Sequence, residues 1–334
     1  MTGLLSTPAR RAAGLLVGLL VIALLAAVSV AYGALSTSWR TVIEAYTQFN
    51  GSNEHLVITE VRVPRTVIAL AVGASLGMAG ALLQMLTRNP LADPEVFGLN
   101  AGAALAIVVA VSVFAISSLS AFTVLAFVGA ACAGVGVLLL GSLGSGGMTP
   151  LKLTLAGAAV WALCESVTSG FLTINERALD EVLFWLKGSV AGRNLERFLP
   201  VLPYMVLGWL GAIWVAGPLR ALMMGEDVAR GLGQRTMQVK VVTGAVIVLL
   251  AGSSVAIAGP IGFIGLVAPH AARALVGFRL RWQAVYSGLL GAILLLAADI
   301  GGRYVAMPKE LPIGVMTALI GAPVFIALAR RERR

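Results

Sequence analysis

Residues 96–151 read VFGLNAGAALAIVVAVSVFAISSLSAFTVLAFVGAACAGVGVLLLGSLGSGGMTPL and contain no charged side chain. One crossing of a bilayer takes roughly 20 mostly apolar residues, so this stretch can hold two. Similar uncharged runs occupy residues 12–39, 66–87 and 241–272. Of all 334 residues, 59% are hydrophobic and 12% are charged, which is about half the charged share of a typical soluble domain. The sequence therefore predicts an all-α, polytopic membrane protein.

The pattern of apolar runs and turns predicts ten transmembrane helices. They lie near residues 12–35, 64–86, 95–115, 121–141, 152–174, 198–218, 238–257, 261–276, 283–300 and 311–329. Pro260 and Pro269 bracket the eighth segment, which is too short for a regular span. Irregular backbone at membrane depth survives only where protein or a water-filled cavity covers it, so we expect this segment inside the bundle. The first run also resembles a signal peptide with a site near residues 32–34, but its length favours a retained helix.

Basic residues predict the orientation of the chain. With a cytoplasmic N-terminus, fifteen of the 24 Lys and Arg residues fall on the cytoplasmic side, as the positive-inside rule requires. Ten helices then place both termini in the cytoplasm. The net charge of +9 reflects topology rather than nucleic-acid binding. We expect residues 1–334 to form one transmembrane domain, with a cytoplasmic loop at 219–240.

Two halves of the chain, helices 2–5 and 7–10, have equal helix numbers and opposite starting orientations. Residues 94–99 (PEVFGL) also resemble residues 260–266 (PIGFIGL). Together these features predict an inverted repeat. Small residues at Gly73 and Gly77, and at Gly98 and Gly102, predict close approach of helix backbones. A subunit interface or a substrate lining is the alternative.

Functional classes are narrowed by what the sequence lacks. It has no P-loop, nucleophile elbow or zinc-ligand spacing, which predicts a non-enzymatic chain with no cofactor or metal site of its own. Glu165 lies in the middle of an apolar helix, where a carboxylate normally faces a cavity or a partner. Its role is either to line a pathway or to make a packing hydrogen bond. An ion-coupled secondary transporter would need several such residues, and a membrane enzyme would need clustered nucleophiles.

A series of short blocks runs in order from residue 62 to residue 325. These are residues 62–65 (RVPR), 80–84, 88–94 (RNPLADP), 98–103 (GLNAGA), 225–233, 259–270 (GPIGFIGLVAPH), 298–300, 310–314 (ELPIG) and 321–323. They resemble the FecCD family, the permeases of binding-protein-dependent ABC importers for iron siderophores, haem and cobalamin. The surroundings of residues 86–90 and of Phe184-Trp185 look most like ferric-catecholate siderophore permeases.

This resemblance implies an assembly. Two permeases, as a homodimer or as two paralogues, would surround one central path in the inner membrane. Two cytoplasmic ATP-binding subunits would supply energy, and a periplasmic or lipid-anchored binding protein would deliver a metal chelate. We expect a ferric siderophore as cargo, with haem or cobalamin as the alternatives. Membrane lipid surrounds the chain, and no nucleic-acid partner is expected.

The resemblance and the topology together select three sets of residues. For ATPase coupling, residues 226–230 can form a short amphipathic helix ended by glycines, and an ordinary solvated loop is the alternative. That set is Glu226, Val228, Ala229, Gly231, Leu232 and Gly233. The resemblance implies that Val228, Ala229 and Leu232 dock into a groove on the ATPase. For docking of the binding protein, the resemblance implies outward arginines that bind acidic residues of that protein by donating hydrogen bonds to their carboxylates. Interfacial anchoring is the alternative. That set is Arg62, Arg65 and Arg303.

The third set is a hypothetical translocation path. Gln84 and Asn100 lie near the Asn-Pro-Leu-Ala turn, and Glu165 and Ser169 lie on the fifth helix. Small residues such as Gly80 and Ala81 are expected to leave room for a bulky chelate.

Overall fold

The computed structural model describes residues 3–33, 37–95, 97–116, 118–144, 148–175, 182–183, 185–305 and 309–332. Its regular elements over these residues are helices. We number them α1 (Pro8–Ala31), α2 (Trp39–Thr47), α3 (Asn53–Leu56), α4 (Val63–Thr87), α5 (Leu99–Phe114), α6 (Leu119–Ser142), α7 (Pro150–Ile174), α8 (Leu195–Phe198), α9 (Leu202–Met223), α10 (Glu226–Gly231), α11 (Thr236–Ala258), α12 (Ile264–Val276), α13 (Leu280–Val305) and α14 (Ile313–Glu332). A π-helical turn, Val57–Arg62, joins α3 to α4.

Ten of these helices account for the predicted spans. Seven are long and apolar enough to cross a bilayer, namely α1, α4, α6, α7, α9, α11 and α13, and α5, α12 and α14 are shorter apolar helices. The prediction of a polytopic protein with about ten helices is confirmed. The first helix begins at Pro8, four residues earlier than expected, because Thr7 caps it by accepting a hydrogen bond from the amide of Arg10.

The backbones of α4 and α13 touch along a seam of glycines. A Cβ on Gly77 would lie 2.1 Å from the carbonyl oxygen of Ser287, and a Cβ on Gly73 would lie 2.4 Å from that of Gly291. No side chain fits between the helices at these points. In lipid there is no hydrophobic force between apolar helices, so such close packing is a main source of helix association. The glycine pair at 73 and 77 therefore packs within the chain, as predicted.

The short helix α12 is held against α4 by a second contact of this kind. A Cβ on Gly80 would lie 1.9 Å from the carbonyl oxygen of Gly265. Helix α12 also packs on α13 and α14. The expectation that the segment after Pro260 lies inside the bundle is confirmed, because its neighbours cover it on several sides.

The helix contacts repeat between the two halves of the chain. Helix α4 packs on α13 and α12, and its counterpart α11 packs on α6 and α5. Likewise α5 packs on α7, and α12 packs on α14. Each short helix follows a residue in the left-handed region, Gly98 with φ 78° and Phe263 with φ 67°. Equivalent helices of the two halves therefore make equivalent contacts, which supports the inverted repeat.

We predict that Gly77→Ala destabilises the protein, because the new methyl group must push α13 away from α4. Overpacking of this kind costs about 1–3 kcal/mol. Gly170→Ala on α7 is the matched control, since no heavy atom lies within 4 Å of a Cβ there. Thermal unfolding of both variants in the same detergent measures the difference. Equal melting temperatures would contradict the role of the seam.

Candidate functional site

One end of the α4–α13 seam carries a buried ion cluster. Arg65 lies eight residues before Gly73, and Asp299 lies eight residues after Gly291, so the antiparallel register that pairs the glycines also pairs these charges. Arg65 donates from Nε and Nη2 to Asp299 Oδ1 at 3.0 and 2.8 Å, and from Nη1 to Glu310 Oε2 at 2.7 Å. The side chain of Asp299 is fully buried, whereas that of Glu310 is 40% exposed. The cluster therefore reaches the surface through Glu310.

Two further arginines donate hydrogen bonds to backbone carbonyl groups at the C-terminal end of α1. Arg303 bonds to Asp299 and donates to the carbonyl oxygen of Ser29 at 2.7 Å and to Ser29 Oγ at 2.9 Å. Arg62 donates from Nη1 to the carbonyl oxygen of Ala31 at 3.0 Å. The last carbonyl groups of a helix lack partners within the helix, and a cation there also complements the helix dipole. These arginines fasten α1 to the ends of α4 and α13.

The contacts place Arg62, Arg65 and Arg303 at one membrane face, as the topology predicts. Their exposure differs from the expectation. All three side chains are nearly covered, with residue exposures of 5–7%, and they bond within the chain. They are therefore neither open sockets nor snorkelling anchors in this conformation. Sequence reasoning missed Asp299 as the shared partner of Arg65 and Arg303, although its spacing of four residues from Arg303 is a usual signal for a helical ion pair.

At the opposite end of the bundle, α10 forms the short helix predicted in the 219–240 loop. Its end is a Schellman motif, in which the amide of Gln234 donates to the carbonyl oxygen of Ala229 at 3.0 Å and that of Gly233 to Arg230 at 2.8 Å. Gly233 has a φ of 78°, which a residue with a side chain would adopt only at a cost. Residues 226–231 are therefore an ordered helix.

The two faces of α10 differ in exposure. Val228 is 45% exposed and Leu232 is 71% exposed, whereas Ala229 is completely covered by the chain itself. Gly231 and Gly233 are exposed. The expectation that Ala229 inserts into a partner is corrected, because its methyl group packs inward against the bundle.

Glu226 links α10 to α11 through hydrogen bonds and an ion pair. Its Oε2 accepts a hydrogen bond from Lys240 Nζ at 2.7 Å, and its Oε1 accepts from Arg230 at 2.8 Å and from Thr236 at 3.2 Å. Lys240 also donates to the carbonyl oxygen of Met148, in the α6–α7 connection. Burial alone would raise the pKa of the Glu226 carboxyl, but the hydrogen bonds and charge of Lys240 lower it below its usual value. The charged carboxylate thus ties α10 to α11 and to the α6–α7 connection.

Of the four expected path residues, two lie inside the chain. Gln84 is 2% exposed and donates from Nε2 to the carbonyl oxygen of Gly265 at 3.2 Å, and Asn100 is 7% exposed. Gly80 leaves no room for a chelate, since Gly265 occupies that space. The assignment of Gln84 and Asn100 to a path is therefore corrected, because both are packed between helices of the same chain.

The other two path residues lie on the exposed face of α7. Glu165 and Ser169 are both exposed and are four residues apart, on the same side of the helix. Among the described residues, none forms a hydrogen bond or ion pair with the Glu165 carboxylate. Leu163, which is 64% exposed, leaves α7 on another side. A polar stripe therefore interrupts an otherwise apolar exterior.

The FecCD transport family matches residues 19–331 of this chain. The chain belongs to the FecCD transport family. It is 52% identical to YfiZ of Bacillus subtilis, named as a siderophore transport system permease, over 91% of each chain. It is 42% identical to FepD of Escherichia coli, the ferric enterobactin transport system permease, over 95% of each chain.

Solved structures agree with this FecCD membership. An inward-facing structure described as a metal-chelate type ABC transporter has a TM-score of 0.83 and 30% identity, covering 96% of this chain and 99% of that one. PsaBC of Streptococcus pneumoniae has a TM-score of 0.51 and 13% identity, which is evidence for the fold alone. The family resemblance inferred from the sequence is confirmed. Phe184, part of its likeness to ferric-catecholate permeases, lies outside the described residues.

Proposed function

We propose that this FecCD protein is the permease subunit of a binding-protein-dependent ABC importer that moves a ferric siderophore across the inner membrane. Both termini lie in the cytoplasm, and two separate ATP-binding subunits hydrolyse ATP. The names of its relatives support iron chelates as the cargo. Haem or cobalamin is the alternative cargo for the same type of importer.

The exposed polar face of α7 carries this proposal. A carboxylate at Glu165 is costly in lipid and needs a partner or a water-filled cavity. The single chain supplies neither among the described residues, so a second permease must cover this face. Two copies, or two paralogues, that face each other through α7 enclose a central path, with Glu165 and Ser169 on its wall.

Among the described residues of α1, α4–α7, α9 and α11–α13, Glu165 is the one exposed carboxylate, and this also argues against ion-coupled transport. Coupling to a proton or sodium gradient needs several titratable or coordinating groups that change occupancy together. Within the described residues, no group of three His, Cys, Asp or Glu side chains could hold a metal ion. A path lined by α7 without metal ligands suits the passage of a whole chelate, because the siderophore itself holds the iron.

Energy coupling is assigned to the exposed side of α10. Val228 and Leu232 form an apolar edge on a polar cytoplasmic loop, which suits an ATPase groove. The clamp formed by Glu226 and Lys240 then carries motion of α10 to α11. Through the bond from Lys240 to the carbonyl of Met148, the same motion reaches the α6–α7 connection and so the base of the path helix.

Docking of the binding protein is assigned to the surface above the ion cluster. Arg65 divides its donors between the buried Asp299 and the half-exposed Glu310. A carboxylate on the binding protein can displace Glu310 and take over Arg65 Nη1, while Asp299 keeps the other donors. Arg62 and Arg303 act indirectly, because they hold α1 and α13 in place. Reversal of Arg65 to Glu would place two carboxylates side by side in the interior, and so it tests stability rather than docking.

For coupling, we predict that Leu232→Glu lowers transport and separates it from ATP hydrolysis, because a charge replaces the apolar edge of α10. Substrate-stimulated ATPase activity should fall several-fold in proteoliposomes. Gln238→Glu is the matched control, since it adds the same charge at an exposed position on α11. Wild-type coupling in Leu232→Glu would exclude this surface as the ATPase contact.

For the path, we predict that Ser169→Cys reacts with a water-soluble maleimide at a rate that changes severalfold with nucleotide and with ferric chelate. The assay uses the assembled transporter with Cys132 and Cys164 replaced. Leu163→Cys, on another exposed side of α7, should stay unreactive in every state because lipid covers it. A constant labelling rate at position 169 would contradict the assignment of α7 to the path.

For docking, we predict that Glu310→Gln speeds association of the binding protein by up to about fivefold, since exposed ion pairs contribute about 0–1 kcal/mol and here one competitor is removed. The effect should fade at high salt. Glu54→Gln, another exposed carboxylate near the start of α4, is the control. Equal association rates for wild type and both variants, measured at low ionic strength, would remove Arg65 from the docking surface.

A further inference from the structure

A basic pocket lies at the end of the bundle that the topology prediction assigns to the cytoplasm. It has a volume of about 570 Å³ and is formed by the start of α1, the end of α9 and the start of α13. Four arginines line it, Arg11, Arg220, Arg279 and Arg281, and no carboxylate is among its lining residues. Among the described residues, the guanidinium groups of Arg220, Arg279 and Arg281 form no ion pair. Such a concentration of uncompensated cations calls for an anionic ligand.

The side chains at the floor of this pocket are held in place by contacts within the chain. Arg11 is 3% exposed, and its guanidinium carbon lies 5.3 Å from the ring centre of Trp282, a cation–π distance. Tyr286 donates to the backbone carbonyl of Arg11 at 2.6 Å, which fixes α1 to α13. A Cβ on Gly217 would lie 2.9 Å from Arg281 Nη2, so this glycine lets the arginine fold over α9.

An apolar cleft of about 470 Å³ lies on the same three helices and on α4. On α1, Leu15 and Ile22 follow one and three turns after Arg11, and on α13, Val285 and Leu289 follow Trp282. Helix α1 beside it is largely exposed, with Leu16 and Leu20 more than 60% exposed. The cleft thus begins about one helical turn beyond the pocket, from Arg11 to Leu15 on α1 and from Trp282 to Val285 on α13.

We propose that the pocket and the cleft together bind one anionic phospholipid of the inner leaflet. The arginines hold its phosphate, for which the planar guanidinium is well suited, and the cleft holds an acyl chain. Basic pockets between transmembrane helices on the cytoplasmic side are the usual places for such head groups. From Arg11 to Ile22 the helix rises about 16 Å, close to half of the roughly 30 Å hydrocarbon core. An acidic protein surface would match the arginines but would leave the cleft unfilled.

The test is lipid retention by the assembled transporter in nanodiscs of phosphatidylglycerol and phosphatidylcholine, followed by native mass spectrometry. The wild type should retain phosphatidylglycerol in preference to phosphatidylcholine. Arg279→Gln with Arg281→Gln should weaken this retention about thirtyfold, since each basic residue contributes about one kcal/mol near an anionic head group. Ala74→Phe, a neutral change that narrows the cleft, should also reduce it.

The control variant, Arg235→Gln with Arg330→Gln, removes two charges at exposed positions elsewhere on the same side of the predicted topology. This control should keep the preference, and an equal loss there would show diffuse attraction and overturn the proposal. Phosphatidylglycerol should also raise the melting temperature of the transporter, and inorganic phosphate at millimolar concentration should not. Equal stabilisation would assign the pocket to a free anion instead. Retention of the lipid by the permease alone but not by the assembled transporter would assign the pocket to the contact with the ATPase subunits.

Discussion

The close approach of α4 and α13 fixes the rest of the molecule. Where Gly77 meets the carbonyl of Ser287, and Gly73 that of Gly291, the two backbones are in contact, and neither helix can slide without a steric clash. This register carries Arg65 to Asp299 at one membrane face. About one turn further along the same face of α4, Gly80 seats the short helix α12. One buried helix thus determines both the ion cluster and the position of the repeat's irregular segment.

The ion cluster depends on that register for its stability. Removing charges from water costs several kcal/mol per ion, and attraction offsets this only with excellent geometry and further hydrogen bonds. Asp299 meets both conditions, because Arg65 binds it through two donors and Arg303 approaches from the next turn of its own helix. Arg303 also bonds to the end of α1, as does Arg62. Charge at this face is therefore mainly structural, and Glu310 is the point at which the cluster meets the solvent.

The sequence could predict the ten helices and the short helix in the 219–240 loop, because each depends on local composition, length and capping. It could not predict which side of α10 is covered, since a six-residue helix has no periodicity of its own and Ala229 is buried by distant elements. The sequence assigns Gln84 to the path because it lies near the Asn-Pro-Leu-Ala turn, yet the carbonyl oxygen of Gly265, far along the chain, accepts its hydrogen bond. The arginines likewise looked exposed because Arg65 reaches Asp299, and Arg303 reaches Ser29, only through tertiary register.

The inverted repeat makes α7 and α14 equivalent, yet their exposed surfaces are chemically different. The described exposed positions of α14 include Val315, Leu319 and Ile326, which lipid can solvate. On α7, Glu165 and Ser169 stand at exposed positions, where lipid would leave a carboxylate without hydrogen bonds. Symmetry of the fold therefore does not extend to symmetry of the surface. Because the two faces differ in this way, the proposed second permease meets the chain at α7 rather than at α14, and the proposed path follows that contact.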